Sequence, residues 1–138
     1  IVSDLDRSLD FYCNVLCFRL VFQKVSEKTS YTYDVFEIDR SADLRFAVLA
    51  TDSQDNVMAL TEVTGVNLPQ IIPPFRAAIV LDVDNIDEII SEVRNRGLTC
   101  YQEDQLVTQD GREGREYGFL DYDGNLIVIY NINKQSNE

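Results

Sequence analysis

The chemistry open to this chain is narrowed first by a residue it lacks: none of its 138 residues is histidine. No imidazole can activate a Ser or Cys nucleophile, and no Gly-x-Ser-x-Gly elbow is present. Asp and Glu together number 24, but at this density carboxylates cover a surface, and no spacing singles out an acid–base pair. Cys13 and Cys17 stand one helical turn apart and could jointly ligate a soft metal. Two ligands do not complete a site, so Cys13, Cys17 and Cys100 are expected to be reduced thiols packed in the core. The stretch Gln109–Tyr117 sets Arg112, Arg115, Glu116 and Tyr117 among Gly111, Gly114 and Gly118. It reads as a loop over a rigid sheet, a frequent place for binding groups, or as a plain solvated hairpin connection. Gly111-Arg112-Glu113-Gly114 superficially suggests a phosphate cradle, but no strand–loop–helix context follows.

Charge removes further classes. Lys and Arg total 12, which leaves a net charge of −12. Phosphate backbones and anionic lipid repel such a chain, so neither nucleic acid nor a membrane surface is an expected partner. Apolar runs such as Ala77–Leu81 are far too short to span a bilayer. A hydrophobic share of 45% and a charged share of 26% belong to a globular protein, here of single-domain length. Three cysteines without Cys-x-x-Cys spacing, and no visible secretory signal, place it in the cytoplasm. The chain opens at Ile1 directly before a helix signal, so an opening strand is expected ahead of it.

The elements that must position any site follow from periodicity. Asp4 is a good N-cap, and Leu5, Leu9, Tyr12 and Leu16 recur on one helical face. Arg19–Val25, Leu44–Ala50 and Val57–Val63 read as strands, with a polar turn over Asp52–Asn56. Lys28–Arg40 reads as a loop with short structure. Asn67–Pro74 carries all three prolines and reads as the linker. Beyond it, Arg76–Val83 is a predicted strand. Asn85 and Glu88 form a predicted capping box for a helix with the apolar face Ile86, Ile89, Ile90 and Val93, ended by Gly97. Leu98–Gln102, Glu116–Asp121 and Leu126–Ile132 complete the strands, with a tight turn at Asp123-Gly124-Asn125.

Val2-Ser3-Asp4-Leu5-Asp6 matches Val83-Asp84-Asn85-Ile86-Asp87 position by position, and a helix and three strands follow each. A period of about 80 residues within one domain indicates duplication of a full unit. The expected fold is α+β, with two tandem βαβββ modules: module one over 1–66, a linker over 67–74, module two over 75–132 and a tail over 133–138.

Two stretches resemble a known group. Val2-Ser3-Asp4-Leu5-Asp6-Arg7-Ser8-Leu9-Asp10-Phe11-Tyr12, continued by Val15-Leu16-Cys17-Phe18, is similar to the first helix of the vicinal oxygen chelate superfamily of glyoxalases, bleomycin-resistance proteins and extradiol dioxygenases. Phe119-Leu120-Asp121-Tyr122-Asp123-Gly124-Asn125-Leu126-Ile127 resembles its closing hairpin. Cys17 stands where Gly is usual, and Tyr122 where Pro is usual. The resemblance implies a cup-shaped mixed sheet with helices outside, and commonly a homodimer.

It also implies a divalent metal inside the cup, and here the match fails. The places of its ligands fall on Ala78, Val128 and either Ala59 or Ala47, which carry no donor; the fourth would precede Ile1. Glu62 is the one nearby carboxylate that a one-residue shift would promote. A metal-free cup without cofactor is the expectation. If Ala78 faces inward, strand alternation carries Arg76, Val80 and Asp82 inward, and Val128 brings Leu126 and Tyr130. Arg76 is then either an anchor for a ligand carboxylate or a rim charge paired with Asp82 or Glu62, and Tyr130 either a rim phenol or core. Arg45, Arg115 and Tyr117 complete the candidate ligand contacts, with the facing of Arg45 undecided.

The reading that results is a metal-independent protein that sequesters or senses a small organic molecule, with an acidic surface suited to a cation. The alternatives are a lyase, isomerase or dioxygenase of the same superfamily, with a rebuilt metal site or acid–base work by Glu62, Glu116 or Tyr117, and a protein-interaction module with a vestigial cup.

Overall fold

Asp4 caps the first helix as its position predicts: its Oδ1 accepts the Arg7 N–H at 3.0 Å, and α1 runs Leu5–Asn14. The structure is a computed structural model describing residues 1–133; of the expected tail, 134–138 lie outside the described residues. The buried side of α1 holds Leu5, Ser8, Phe11 and Tyr12, while Leu9 of the predicted face is half-buried. Cys17 follows at φ 62, in the left-handed region that explains the family's glycine there. It is exposed rather than in the core, while Cys13 and Cys100 are half-buried. The thiol placement expected from composition is therefore wrong for Cys17, because the turn points its side chain to solvent.

The chain divides into two compact units, residues 1–70 and 71 onward. In the first, β1 (Arg19–Val25), β2 (Asp43–Ala50) and β3 (Met58–Thr64) form an antiparallel sheet in the order β1-β2-β3. Val2 bridges to Glu62 in the parallel sense, with Val2 N–H donating to Thr61 at 2.9 Å and Val63 N–H to Val2 at 3.0 Å. The stretch 28–40 contains a short helix, α2 (Tyr31–Val35), whose Ser30 hydroxyl accepts the Thr32 N–H. Tyr33 anchors it, buried with Ala42, Leu44 and Val63 and donating its hydroxyl to Ala42 O at 2.7 Å.

The second unit realises the βαβββ order directly: β4 (Ile79–Asp82), α3 (Ile86–Asn95), β5 (Asp104–Val107), β6 (Glu113–Leu120) and β7 (Leu126–Ile132). The sheet order is β4-β7-β6-β5, with β4 parallel to β7 and the others antiparallel. Ile86, Ile89, Ile90 and Val93 are buried as expected, and Gly97 leaves the helix at φ +69. The α+β class is as expected.

Several boundaries need correction. The β4 strand begins only at Ile79, so Arg76 and Ala78 precede it. Asn85 makes no side-chain cap; its amide instead reaches Glu88 Oε2 at 3.5 Å, and the predicted capping box is not formed. The strand expected at Leu98–Gln102 is reduced to a bridge of Cys100 to Phe119, and pairing resumes at Asp104–Val107. That edge strand is mostly exposed, so it lacks the apolar alternation that marks half-buried strands. Likewise β6 starts three residues before the expected Glu116, so Glu113–Arg115, read as loop, are strand: the turn closes at Thr108–Arg112, where Thr108 N–H donates to Arg112 O at 2.9 Å. Charged residues disguised it.

Candidate functional site

Strand pairing decides which side chains share a face. In β7, Ile127 and Ile129 are fully buried on the side that α3 covers, while Leu126, Val128 and Tyr130 are half-buried on the other. That second face is open, and registered residues form rows across it. One row holds Val80, Val128 and Gly118; the next holds Asp82, Tyr130, Glu116 and Asp104. Tyr101 lies over Gly118: a Cβ there would sit 3.4 Å from Tyr101 Cδ2 and 3.9 Å from Leu126 Cδ1. Val80, 60% exposed, and Tyr101, 44% exposed, leave the first row open to a ligand.

The first unit's sheet has a corresponding face. Phe22, Val48 and Ala59 share a row, with Lys24, Phe46 and Thr61 beside it, and the Phe22 and Phe46 rings meet edge-on at 5.8 Å. Ala47 lies on the opposite side, fully buried. Of the two residues that could hold the implied ligand place in this module, the open face therefore carries Ala59. Val128 stands on the open face of its own sheet, and Ala78 is exposed just ahead of β4. Methyl and isopropyl groups offer a divalent cation no lone pair, so these residues do not fit the family's metal. Among the described residues, no three His, Cys, Asp or Glu side chains gather where they could hold one.

Glu62 belongs to neither open face. It is 8% exposed, on the side of its sheet facing α1. Its carboxylate accepts Arg45 Nε at 2.7 Å, Arg45 Nη2 at 3.0 Å and the Leu5 N–H at 2.7 Å. The Arg45 guanidinium holds its pKa below the usual carboxylate range; burial works against that, and the Leu5 hydrogen bond adds to it. Arg45 also reaches Asp6 at 3.0 Å, and these carboxylates raise its own pKa. Arg45 and Glu62 are thus a helix-to-sheet lock on the α1 side of their sheet, away from its open face.

Arg115 and Tyr117 point to the α3 side of their sheet. Arg115 grips Asp87 at 3.1 and 2.7 Å and donates through Nε to Glu103, and Tyr117 donates to the same Glu103 at 2.8 Å. Arg115 holds both carboxyls below their usual range, with Tyr117 adding to the effect at Glu103. Beside them lies a wide polar groove of about 660 Å³, lined among others by Arg94, Gln102, Gln105 and Glu113. Its central groups already satisfy one another.

The remaining sequence candidates separate. Asp82 and Tyr130 are registered neighbours on the open face, as alternation predicted, with Tyr130 half-buried rather than core. Arg76 is exposed outside the strand, and among the described residues it makes no ion pair with Asp82; Glu62 is taken by Arg45. Sequence reasoning missed Tyr101, Asp104, Phe22 and Phe46. Their signal is register, which no single strand reveals.

Comparison with known proteins fits this architecture. The sequence profile of the glyoxalase/bleomycin resistance protein/dioxygenase superfamily matches residues 1–129, and the chain belongs to that superfamily. A glyoxalase family protein from Bacillus cereus shares 18% identity over 96% of this chain and 89% of its own, with a TM-score of 0.70. The trypanothione-dependent glyoxalase I of Leishmania major shares 22% over 94% and 80%, at 0.60. An antibiotic-binding protein from a Streptomyces species shares 21% over 96% and 89%, at 0.55. At these identities the likeness is one of fold. No curated protein sequence matches the chain significantly.

Proposed function

We propose that this chain is a metal-independent small-molecule-binding protein of the glyoxalase/bleomycin-resistance type, holding an organic ligand on the open face of its second sheet. One observation carries the reading: the implied metal-ligand place at Val128 is occupied by an apolar residue inside an apolar row with Val80, beside Leu126 and Tyr101. Such a face binds an organic body by removing its apolar surface from water, at about 25 cal/mol per Å². The antibiotic-binding relative in Streptomyces gives a precedent for ligand holding on this fold.

The same reading expects a cytoplasmic homodimer. The β1 edge strand exposes Leu20, Val21, Phe22 and Val25, a surface that edge strands seldom leave bare, and the cysteines are free thiols. A second reading, an enzyme using metal-free acid–base chemistry, rests on Glu116, which is registered beside Tyr130 on the open face. Glu62 and Tyr117, the other two candidates, are engaged on the helix sides.

Elemental analysis and a thermal-shift screen test the proposal together. The purified protein is expected to hold no stoichiometric divalent metal, and an aromatic ligand at 100 times its dissociation constant adds about 2.7 kcal/mol of stability. One tightly bound divalent ion per chain, or no shift with any apolar compound, overturns it.

A further inference from the structure

We infer that the ligand of this open face is an organic ammonium ion with an apolar body, its charge received by Tyr130 and the carboxylates of Asp82 and Glu116. The inference rests on the reading of that face as the ligand site and names the ligand's chemical class.

Charge is segregated across the second sheet. On the side that α3 covers, Asp87 and Glu103 are both met by Arg115. On the open side, the row Asp82, Tyr130, Glu116, Asp104 crosses all four strands without a cation. None of its three carboxylates has an ion pair or a side-chain hydrogen bond among the described residues. Glu116 and Asp104 stand directly opposite in an antiparallel pair, where like charges cost stability. An arriving cation relieves that repulsion.

The row also has a shape. Tyr130 stands between Asp82 and Glu116, and neighbouring strands lie about 4.8 Å apart. A cation over the phenol ring is within reach of a carboxylate on each side, and the ring face itself attracts it. The adjoining row of Val80 and Val128, with Tyr101 over Gly118, is apolar. An inorganic cation gains nothing from that row, a neutral molecule leaves the carboxylates uncompensated, and an anion is repelled. An ammonium with an aromatic or aliphatic body matches both rows at once.

Benzyltrimethylammonium, its neutral carbon isostere neopentylbenzene and the anion phenylacetate test this by NMR titration of the full chain. The cation is expected to bind roughly tenfold more tightly than the isostere, and phenylacetate more weakly than either. Asp82→Asn and Glu116→Gln should each weaken the cation about three- to tenfold and leave the isostere unchanged. Asp52→Asn removes the same charge from a loop of the first unit and should change neither, which separates the row from the overall charge. Equal binding of cation and isostere overturns the ammonium assignment while sparing the ligand face. Binding of neither overturns the ligand face itself. Cation binding that responds equally to Asp52→Asn and Glu116→Gln overturns the role of the row.

Discussion

Arg115 on β6 grips Asp87, in the first turn of α3, through two N–H···O bonds of 3.1 and 2.7 Å. Arg45 on β2 reaches Asp6, in the first turn of α1, at 3.0 Å. The duplication seen as Asp6 against Asp87 in the sequence is thus also a repeated device, in which an arginine on an inner strand pins the start of the module's helix. The modules differ in the second carboxylate: Arg45 takes Glu62 from β3, and Arg115 takes Glu103 ahead of β5. Glu62 is buried and Glu103 is not, so the two devices should differ in worth.

Glu62→Ala leaves the Leu5 N–H and the Arg45 guanidinium without their shared partner. A buried, charge-assisted set of this kind should cost about 2–4 kcal/mol, read as a lower urea midpoint with unchanged slope.

Arg45→Ala should cost nearly as much as Glu62→Ala, because it strands a buried carboxylate, and the double substitution should cost less than the sum. Arg115→Ala removes an exposed link that solvent and salt screen. Its Tm loss should be smaller and should vanish at high salt, whereas that of Arg45→Ala should persist.

The pH dependence follows from Glu62. Its folded pKa lies below the ordinary 4.5, so its contribution is full above that value and is lost as pH falls through the folded one. Asp87 and Glu103 act in the same direction. Urea stability should hold down to about pH 5 and fall below pH 4.5, less steeply in Glu62→Gln than in the native chain.

Two glycines of β6 should respond differently to alanine. At Gly114 a Cβ would meet Asn131 O at 2.2 Å, a backbone atom that cannot move without breaking the β6–β7 pairing. At Gly118 it would meet Tyr101 and Leu126 side chains at 3.4 and 3.9 Å. Gly114→Ala should cost more than about 2 kcal/mol, and Gly118→Ala should stay within about 1 kcal/mol of the native chain in chemical denaturation.

Tyr33→Phe removes one buried hydrogen bond to Ala42 O, which Lys28 Nζ also reaches. Since that carbonyl keeps a donor, the loss should be only about 0.5–1 kcal/mol by thermal unfolding.

What the sequence determined by itself is local or periodic. Asp4 and Asp6 at the start of one module, and Asn85 and Asp87 at the start of the other, exposed the duplication. The apolar stripe of α3 and the alternation of β7 placed the core. Ala78, Val128 and either Ala59 or Ala47 told, through resemblance alone, that donors are missing. The tertiary structure decided whatever depends on register, because alternation assigns a residue to one of two faces without saying which face is covered. It turned Arg45, Glu62, Arg115 and Tyr117 toward the helices, where ion pairs occupy the first three and a hydrogen bond to Glu103 the last. It kept Ala59 and not Ala47 on the open side. It also hid β5 from periodicity, since an exposed edge strand needs no apolar face, and the start of β6, whose charged residues mask it. The row of Asp82, Tyr130, Glu116 and Asp104 comes from four strands. Hydrogen bonding between strands, which no single segment encodes, brings its members together.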